Sequence, residues 1–448
     1  MTSNHYLVVG LGKTGHSIAR YLQRKHLNFS VMDTRNAPHL AAEFQAEFPN
    51  VPVFLETYSA EKLSHITDVI VSPGVPLETP CVAAAQALGI PVYGDIECLA
   101  REIHDTQVIA ITGTNGKSTV TTLVGLMAEA FGLKTAVAGN IGTPVLDLLA
   151  DAHTYAVWVL ELSSFQLEVT DSLCPTAATI LNVTPDHLDR HHHMDAYVAA
   201  KQRVYWHAKH RIYNRDDALT QPNLNGQSVT HSFGLNPPQA GDWGIVAEQS
   251  EIYLMHGQVR IMAVKDMRIK GRHNWENALA ACALAYSIGV PYAVMVDVLT
   301  QFSGLPHRSQ WVRTLDDVDW INDSKGTNVG ATQSAIAGIG GAIQGKIVLI
   351  AGGQGKGADF NFLRESVTKH VRALVLFGQD ADKLETALAD LVPIQRVASI
   401  EAAVPAARGL ALAGDVVLLS PACASLDMFR DYNHRGEVFT DLVGKLSC

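Results

Sequence analysis

Short, mostly apolar runs closed by glycines, prolines and small hydroxyl residues recur along the chain: 6–9, 29–32, 68–71, 108–111, 155–160, 179–183, 346–350, 371–377 and 415–419. Bounded runs of this kind predict buried strands. Helical stretches follow several of them, to about residue 25, over 120–127 and from residue 380. Strand alternating with helix predicts an α/β protein. The 448 residues suggest three domains at about 150 residues each. The expected divisions are 1–97, 98–302 and 303–448, with 91–97 read as a linker crossing between the first two. The first and last are expected to be Rossmann-like, and the middle one a phosphate-loop ATPase-type α/β domain.

The loop after 108–111 organises the rest. It reads Thr112-Gly113-Thr114-Asn115-Gly116-Lys117-Ser118-Thr119 and opens a helix. Glycines let backbone N–H groups turn toward an anion, and the helix start adds the positive end of its dipole. Lys117 would reach the β- and γ-phosphates of a nucleotide, and the Ser118 hydroxyl would ligate Mg²⁺. Ile111 stands where the common phosphate loop has its first glycine. A turn glycine before a capped surface helix is therefore the competing reading.

Other strand ends carry chemistry too. Gly10-Leu11-Gly12-Lys13-Thr14-Gly15 follows the first run and Asp33 ends the second, which is the dinucleotide fingerprint. Taken literally it means NAD; taken broadly it means any nucleotide diphosphate. Ser72-Pro73-Gly74 closes a further run. Glu161 follows 155–160, where a carboxylate beside a phosphate loop holds Mg²⁺; an ordinary strand-terminal acid is the alternative. His187 lies on the loop after 179–183, and His191-His192-His193 reads as a solvated turn. Tyr197, Lys201 and Tyr205 share one helix face. Lys201 either snorkels to water or is a buried functional amine. Asn274 and Asn277 open an Ala-rich helix and suit an adenine edge, unless Asn274 is simply the N-cap. The stretch from Asn214 to Asp217 lacks the lysine of a guanine-reading motif, which disfavours GTP. Polar loops at 305–308, 322–328, 352–357 and 420–425 point to a shared crevice for an anionic or carboxylate substrate.

Composition narrows the classes. A net charge of −10 argues against nonspecific binding to nucleic acid or anionic membrane. With 47% hydrophobic and 17% charged residues, large cores are expected and disorder is not. No run reaches the roughly 20 apolar residues of a membrane span, and no signal peptide is read at the start. The six cysteines lack Cys-x-x-Cys spacing and read as reduced thiols of a cytoplasmic protein.

In order, 112–119, Gly139-Asn140-Ile141-Gly142, Glu161-Leu162-Ser163-Ser164-Phe165-Gln166, the His187 loop and 273–277 resemble the Mur ligases of peptidoglycan precursor synthesis. Gly10 to Gly15 with Asp33-Thr34-Arg35, 352–360 and 420–429 bring the resemblance closest to the branch that adds D-glutamate. The resemblance implies an ATP-dependent amide ligase. Its substrates would be UDP-N-acetylmuramoyl-L-alanine, D-glutamate and ATP, joined through an acyl phosphate. Gly113, Thr114, Asn115, Gly116, Lys117, Ser118 and Thr119 would cradle the phosphates, with Arg308 helping Lys117 neutralise the γ-phosphate. Two Mg²⁺ ions are implied, one on Ser118 and Glu161, the other on His187 and a carbamylated Lys201. Asn274, Asn277 and Asp323 would hold adenosine. Thr14, Asp33, Thr34, Arg35, Ser72, Pro73 and Gly74 would hold the UDP end, with Asn140 and Gln166 guiding the muramoyl-alanine. Thr327, Lys356 and Ser425 would clamp D-glutamate. A monomer is expected, without nucleic-acid partner or membrane span. Three rivals remain: an NAD-dependent dehydrogenase, which leaves Lys117 and Glu161 unexplained; a folylpolyglutamate-synthase-like ligase, which does not need the first domain; and a nucleotide-dependent switch.

Overall fold

The computed structural model describes residues 4–56, 60–223, 228–249, 251–269, 271–355 and 357–447. The apolar runs form three sheets with helices between the strands. The first contains β1 (His5–Val9), β2 (Asn28–Asp33), β3 (Val53–Leu55), β4 (Asp68–Val71) and β5 (Val92–Tyr93) in the order β3-β2-β1-β4-β5. Its pairs are parallel. Strand order reverses between β1 and β4, which leaves a crevice at their carboxyl ends. The glycine loop at 10–15 and the loop at 72–74 both stand there.

The second sheet contains β6 (Gln107–Thr112), β7 (Thr135–Gly139), β8 (Val157–Glu161), β9 (Ala177–Ile180), β10 (His210–Asn214), β11 (Val229–Phe233), β12 (Trp243–Glu248), β13 (Glu251–His256) and β14 (Val259–Ala263). The order is β14-β13-β12-β11-β10-β9-β6-β8-β7. β6 runs parallel between β8 and β9, with Ile111 opposite Glu161 and Thr112 opposite Ile180. This register brings the phosphate loop, Glu161 and the loop toward His187 out side by side.

The third sheet contains β15 (Gln310–Leu315), β16 (Val318–Asn322), β17 (Ile347–Gly352), β18 (Val371–Phe377), β19 (Ile394–Arg396) and β20 (Val416–Leu419), in the order β15-β16-β20-β17-β18-β19. β16, β20 and β17 are parallel neighbours, and β15 is antiparallel. Buried side chains cover both faces of this sheet in two separate clusters.

The chain packs as two compact units, 1–246 with 255–261 and 278–298, and 247–254 with 262–277 and 299–448. Within the first unit two sheets share one core. Val8, Ile18, Leu22 and Phe44 join Ile96, Leu99, Leu146, Trp158 and Tyr205 in a single buried cluster. The α/β, three-sheet architecture is the one the alternating pattern predicts. Three local expectations change. Residues 91–97 are not a plain linker but hold β5 and the start of the fully buried helix Asp95–Ala100. The strand expected over 179–183 ends at Ile180, because Leu181 and Asn182 turn back to bond the phosphate loop. The strands β11–β14 have no counterpart in the sequence reading. Among the described residues no helix is long and apolar enough to cross a membrane.

Candidate functional site

The first sheet builds a cleft of about 570 Å³ at the ends of β1 and β4. Thr14, Asp33, Thr34, Arg35, Ser72, Pro73, Gly74, Asn140 and Gln166 all line it, so every residue expected at the UDP substrate stands on one cavity. Gly15 lets the helix Lys13–Arg24 press against the strand end, since a Cβ there would stand 1.9 Å from the Gly10 carbonyl oxygen. Ser72 Oγ donates to that same carbonyl at 3.1 Å. Asp33 is buried at the end of β2 and accepts from the Leu11 N–H at 2.7 Å and from Arg35 Nε and Nη2 at 2.9 and 2.8 Å. Burial alone would raise its pKa, but the Arg35 guanidinium and the two backbone donors outweigh it and hold the carboxyl at about 2.

The phosphate loop has the geometry that anion binding requires. Gly113 and Gly116 adopt φ of 149° and 83°, values that side-chain-bearing residues avoid. Gly116 caps the helix Lys117–Ala130, whose first turn has no side-chain cap. Its N–H groups therefore face the loop mouth. Lys117 Nζ curls over the loop and donates to the carbonyls of Gly113 and Thr114, each at 2.8 Å. Asn182 locks the loop from the neighbouring strand end, accepting from the Asn115 N–H at 2.8 Å and donating to its carbonyl at 3.1 Å. Ser118 is buried. So is Glu161, and one of its oxygens accepts from Asn140 Nδ2 at 2.9 Å. The other is buried with no hydrogen-bond partner among the described residues.

Lys201 does not snorkel. It is 2% exposed, its ammonium lies 4.5 Å from the centre of the Tyr197 ring, and Nζ donates to the Gly113 carbonyl at 2.9 Å. Desolvation, reinforced by the nearby Lys117 charge, pulls its pKa down to about 6. His187 sits in a left-handed turn with φ of 52°, half exposed, its ring 5.0 Å from Phe165. The solvated-turn reading of 191–193 is corrected at His191. That ring is buried, bonds Ser164 Oγ at 2.9 Å, and packs against Phe165 and Tyr197. The packed aromatic neighbours leave it no path to water.

In the second unit three loops converge at the ends of β16, β20 and β17. Asp323 accepts from the Ser309 N–H at 3.0 Å and from Ser420 Oγ at 2.7 Å. Burial lifts its pKa to about 6. Gln354 and Ala424 exchange backbone hydrogen bonds at 2.9 Å, which ties the 352–355 loop to the 420–425 loop. Arg308 stands between His307 and Ser309, both held at positive φ, 61° and 44°. Strain of this kind at non-glycine residues concentrates at functional sites. Thr327 is half buried and Ser425 buried on the converging loops; Lys356 lies outside the described residues. Asn277 Nδ2 donates to Asn274 Oδ1 at 3.2 Å. The helix begins at Arg272, so Asn274 lies inside its first turn and is not the N-cap.

Comparison with known proteins gives the context. The chain matches the Mur ligase MurD-like N-terminal domain over 4–94, the Mur ligase middle domain over 111–285, and the Mur ligase glutamate ligase domain over 307–423. It is 60% identical over 445 residues, 99% of both chains, to a UDP-N-acetylmuramoylalanine–D-glutamate ligase of Legionella pneumophila. The chain belongs to the Mur ligase family. A Pseudomonas aeruginosa protein of the same name is 48% identical over 448 residues, 100% of this chain and 99% of the relative. A solved UDP-N-acetylmuramate–alanine ligase from Thermotoga maritima shares the fold, with a TM-score of 0.56 at 18% identity over 98% of this chain and 99% of that one.

This Mur ligase also uses residues that the sequence does not advertise. Arg435, 0% exposed, donates through Nε to Ser324 Oγ at 3.0 Å and through Nη2 to the Ser324 carbonyl at 2.8 Å. It also reaches the Cys423 carbonyl from both terminal nitrogens at 3.2 Å. In the sequence it is one more cation on a helix, Tyr432–Lys445. Asp95 lines the cleft at the ends of β1 and β4 from within the supposed linker. Among the described residues the cysteines are free thiols, as their spacing predicts.

Proposed function

We propose that this chain is an ATP-dependent ligase that adds D-glutamate to UDP-N-acetylmuramoyl-L-alanine, forming ADP and phosphate, in cytoplasmic peptidoglycan precursor synthesis. Family membership carries the reading, and the layout of both units supports it. The division of labour keeps the three segments 1–97, 98–302 and 303–448. The first holds UDP through Thr14, Asp33, Thr34, Arg35 and 72–74, and Asn140 and Gln166 of the second guide the muramoyl-alanine. The phosphate loop with Lys117 takes ATP, with Asn274, Asn277 and Asp323 on adenosine. Thr327, Lys356 and Ser425 take D-glutamate.

The alanyl carboxylate oxygen bonds to the γ-phosphorus and the bond to ADP breaks, giving an acyl phosphate. The amine of D-glutamate then bonds to that carbonyl carbon, loses a proton, and phosphate leaves. Phosphoryl transfer asks for positioning and charge neutralisation rather than covalent help. Lys117 and Arg308 supply the cations, and the open helix start supplies fixed dipoles.

The donor set fits Mg²⁺ at Ser118 and Glu161. A hard cation takes oxygen ligands and keeps several waters, and the unpartnered Glu161 oxygen is such a ligand. Among the described residues no three His, Cys, Asp or Glu side chains cluster as a dedicated metal site, which suits an ion held largely by phosphate and water. When bound, Mg²⁺ neutralises charge on the phosphate oxygens. A second ion near His187 needs Lys201 as a carbamate, because the amine seen here is a proton donor and not an oxygen ligand.

The test is phosphate release from ATP and Mg²⁺ by the purified protein, across UDP-muramoyl precursors and amino acids. Release should require UDP-N-acetylmuramoyl-L-alanine and D-glutamate together, and NADH fluorescence should not change on adding protein. Steady release with neither acceptor present would instead identify a nucleotide switch.

A further inference from the structure

The turn that carries His187 is held from two sides, and the two holds differ. On the side of the phosphate loop it is stitched shut. The Thr114 N–H donates to the Asn182 carbonyl at 2.9 Å, the Thr184 N–H donates to Thr114 Oγ1 at 3.0 Å, and that hydroxyl donates to the Thr184 carbonyl at 3.1 Å. On the other side stands Arg190, whose backbone N–H bonds back to the His187 carbonyl at 3.0 Å and closes the turn. Its guanidinium lies over Phe165, 5.3 Å from the ring centre, and the same ring packs edge to face with His187 at 5.0 Å. From there it reaches the first sheet. Nη2 donates to the Val75 carbonyl at 3.4 Å, and Nη1 donates to Glu78 at 3.4 Å. Val75 belongs to the loop on the cleft: its N–H donates to the Ser72 carbonyl at 2.9 Å, and residues 72–76 all line the cavity. One side chain thus joins the cleft loop to the His187 turn.

The grip of Arg190 is incomplete. Bonds from a guanidinium to a carboxylate close to about 2.7–2.9 Å. Those of Arg190 stand at 3.4 Å to Glu78 and 3.6 Å to Glu168. The Glu168 Oε2 that faces Arg190 is buried with no hydrogen-bond partner among the described residues. A buried carboxylate oxygen left in that state is costly, so a small approach of the guanidinium is favourable. Arg203, on the same stretch of chain, shows what a closed tie looks like: Nε donates to the Leu167 carbonyl at 2.6 Å and Nη2 to the Thr170 carbonyl at 3.0 Å. The open grip lies where two loops of different duty meet, and the closed one does not touch the cleft loop.

We propose that Arg190 is the positioning residue through which the 72–76 loop sets the His187 turn, so that the UDP end of the substrate, seated in the cleft, orders the loop on the reaction side. A ligand resting on 72–76 restrains the Val75 carbonyl, and the restrained carbonyl brings the guanidinium onto Glu168. The inference rests on the reading of the cleft as the UDP site. It assigns Arg190 no contact with substrate.

The experiment is amide hydrogen exchange of the full chain with and without saturating UDP, the binding itself being measured by calorimetry. In the parent protein UDP should slow exchange about threefold or more both at 72–76, which it touches, and at 187–192, which it does not. Arg190→Gln should still bind UDP and still slow 72–76, but 187–192 should no longer respond. Glu168→Gln removes the charge that draws the guanidinium and should weaken the response at 187–192 as well. The two substitutions together should do no more than Arg190→Gln alone, since both act through one contact. Arg203→Gln loosens the same stretch without reaching the cleft loop. It should lower the melting temperature and leave the response intact. Kinetics give a second readout. The parent should turn over UDP-N-acetylmuramoyl-L-alanine with a higher kcat than 1-phospho-N-acetylmuramoyl-L-alanine, which lacks the uridylyl group, because remote binding energy is used at the reacting end. Arg190→Gln should turn over the two with equal kcat. A response at 187–192 that survives in Arg190→Gln, or that is lost equally in Arg203→Gln, would overturn the proposal. So would a parent protein that binds UDP without any change at 187–192, which leaves the UDP reading of the cleft intact. Failure of the parent to bind UDP at all would overturn both.

Discussion

At the scale of single residues, two buried charges are handled in opposite ways. Lys201 sits where desolvation disfavours a free ammonium and pulls its pKa down to about 6, which favours the neutral amine that CO₂ addition requires. Lys201→Ala should lose activity on the order of 10²-fold or more, as when a positioned electrostatic group is removed from a phosphoryl-transfer site. Acetate should restore part of that activity by supplying oxygens, and Lys201→Arg should not be rescued. Ordinary turnover of Lys201→Ala at limiting Mg²⁺ without acetate would dismiss the carbamate. Asp33 is stabilised as an anion, its folded pKa lowered from 3.8 to about 2. The unfolded chain therefore binds more protons between those values. The stability that Asp33 contributes is complete above its unfolded pKa and disappears as pH falls through about 2. Asp33→Asn should flatten the acid limb of the pH–stability curve between pH 4 and 2, measured by urea unfolding, and leave the slope near pH 7 unchanged. Both residues are legible in the sequence, one by its place at the end of β2 and one by its i, i+4 spacing between tyrosines. Their surroundings are not. Nothing in the local sequence says that the Leu11 N–H closes on Asp33 or that Phe165 stacks on His191, because those contacts join segments far apart in the chain.

At the scale of elements, the strand ends were readable because fully buried strands are nearly continuous apolar runs. β11–β14 were not, because they are buried over only part of their length: Val229 and Thr230 are exposed while Ser232 and Phe233 are buried. The converging loops of the third sheet were readable one at a time, as polar sequences after strands. What joins them was hidden. Arg435 holds the Ser324 and Cys423 carbonyls together, and so sets the spacing between the loop of Asp323 and Thr327 and the loop of Ser425. Arg435→Met should leave the two buried carbonyls of Ser324 and Cys423 unpaired and cost about 2–6 kcal/mol in chemical unfolding, at about 1–3 kcal/mol per orphaned group. In the folded fraction the KM for D-glutamate should rise more than the KM for the UDP substrate. An equal rise in both would mean that the arginine serves stability alone.

At the scale of the whole molecule, the two compact units have separate hydrophobic cores. Two cores of this size predict two calorimetric transitions rather than one. UDP-N-acetylmuramoyl-L-alanine alone, at about 100 times its Kd, should stabilise the unit holding the cleft by about 2.7 kcal/mol and move only that transition. A single transition that shifts as a whole would show that the units unfold together.

The core that the first two sheets share decides how the chain can be divided or exchanged. A cut after residue 97 severs the helix Asp95–Ala100 and bares apolar surface on both fragments. Either fragment, made alone, should be insoluble. The third sheet keeps both of its faces covered by its own helices. Recombination between relatives would thus reject a junction near residue 97, and one near residue 299 would part 247–254 and 262–277 from the rest of their unit, so the three sheets do not mark where this protein can be divided.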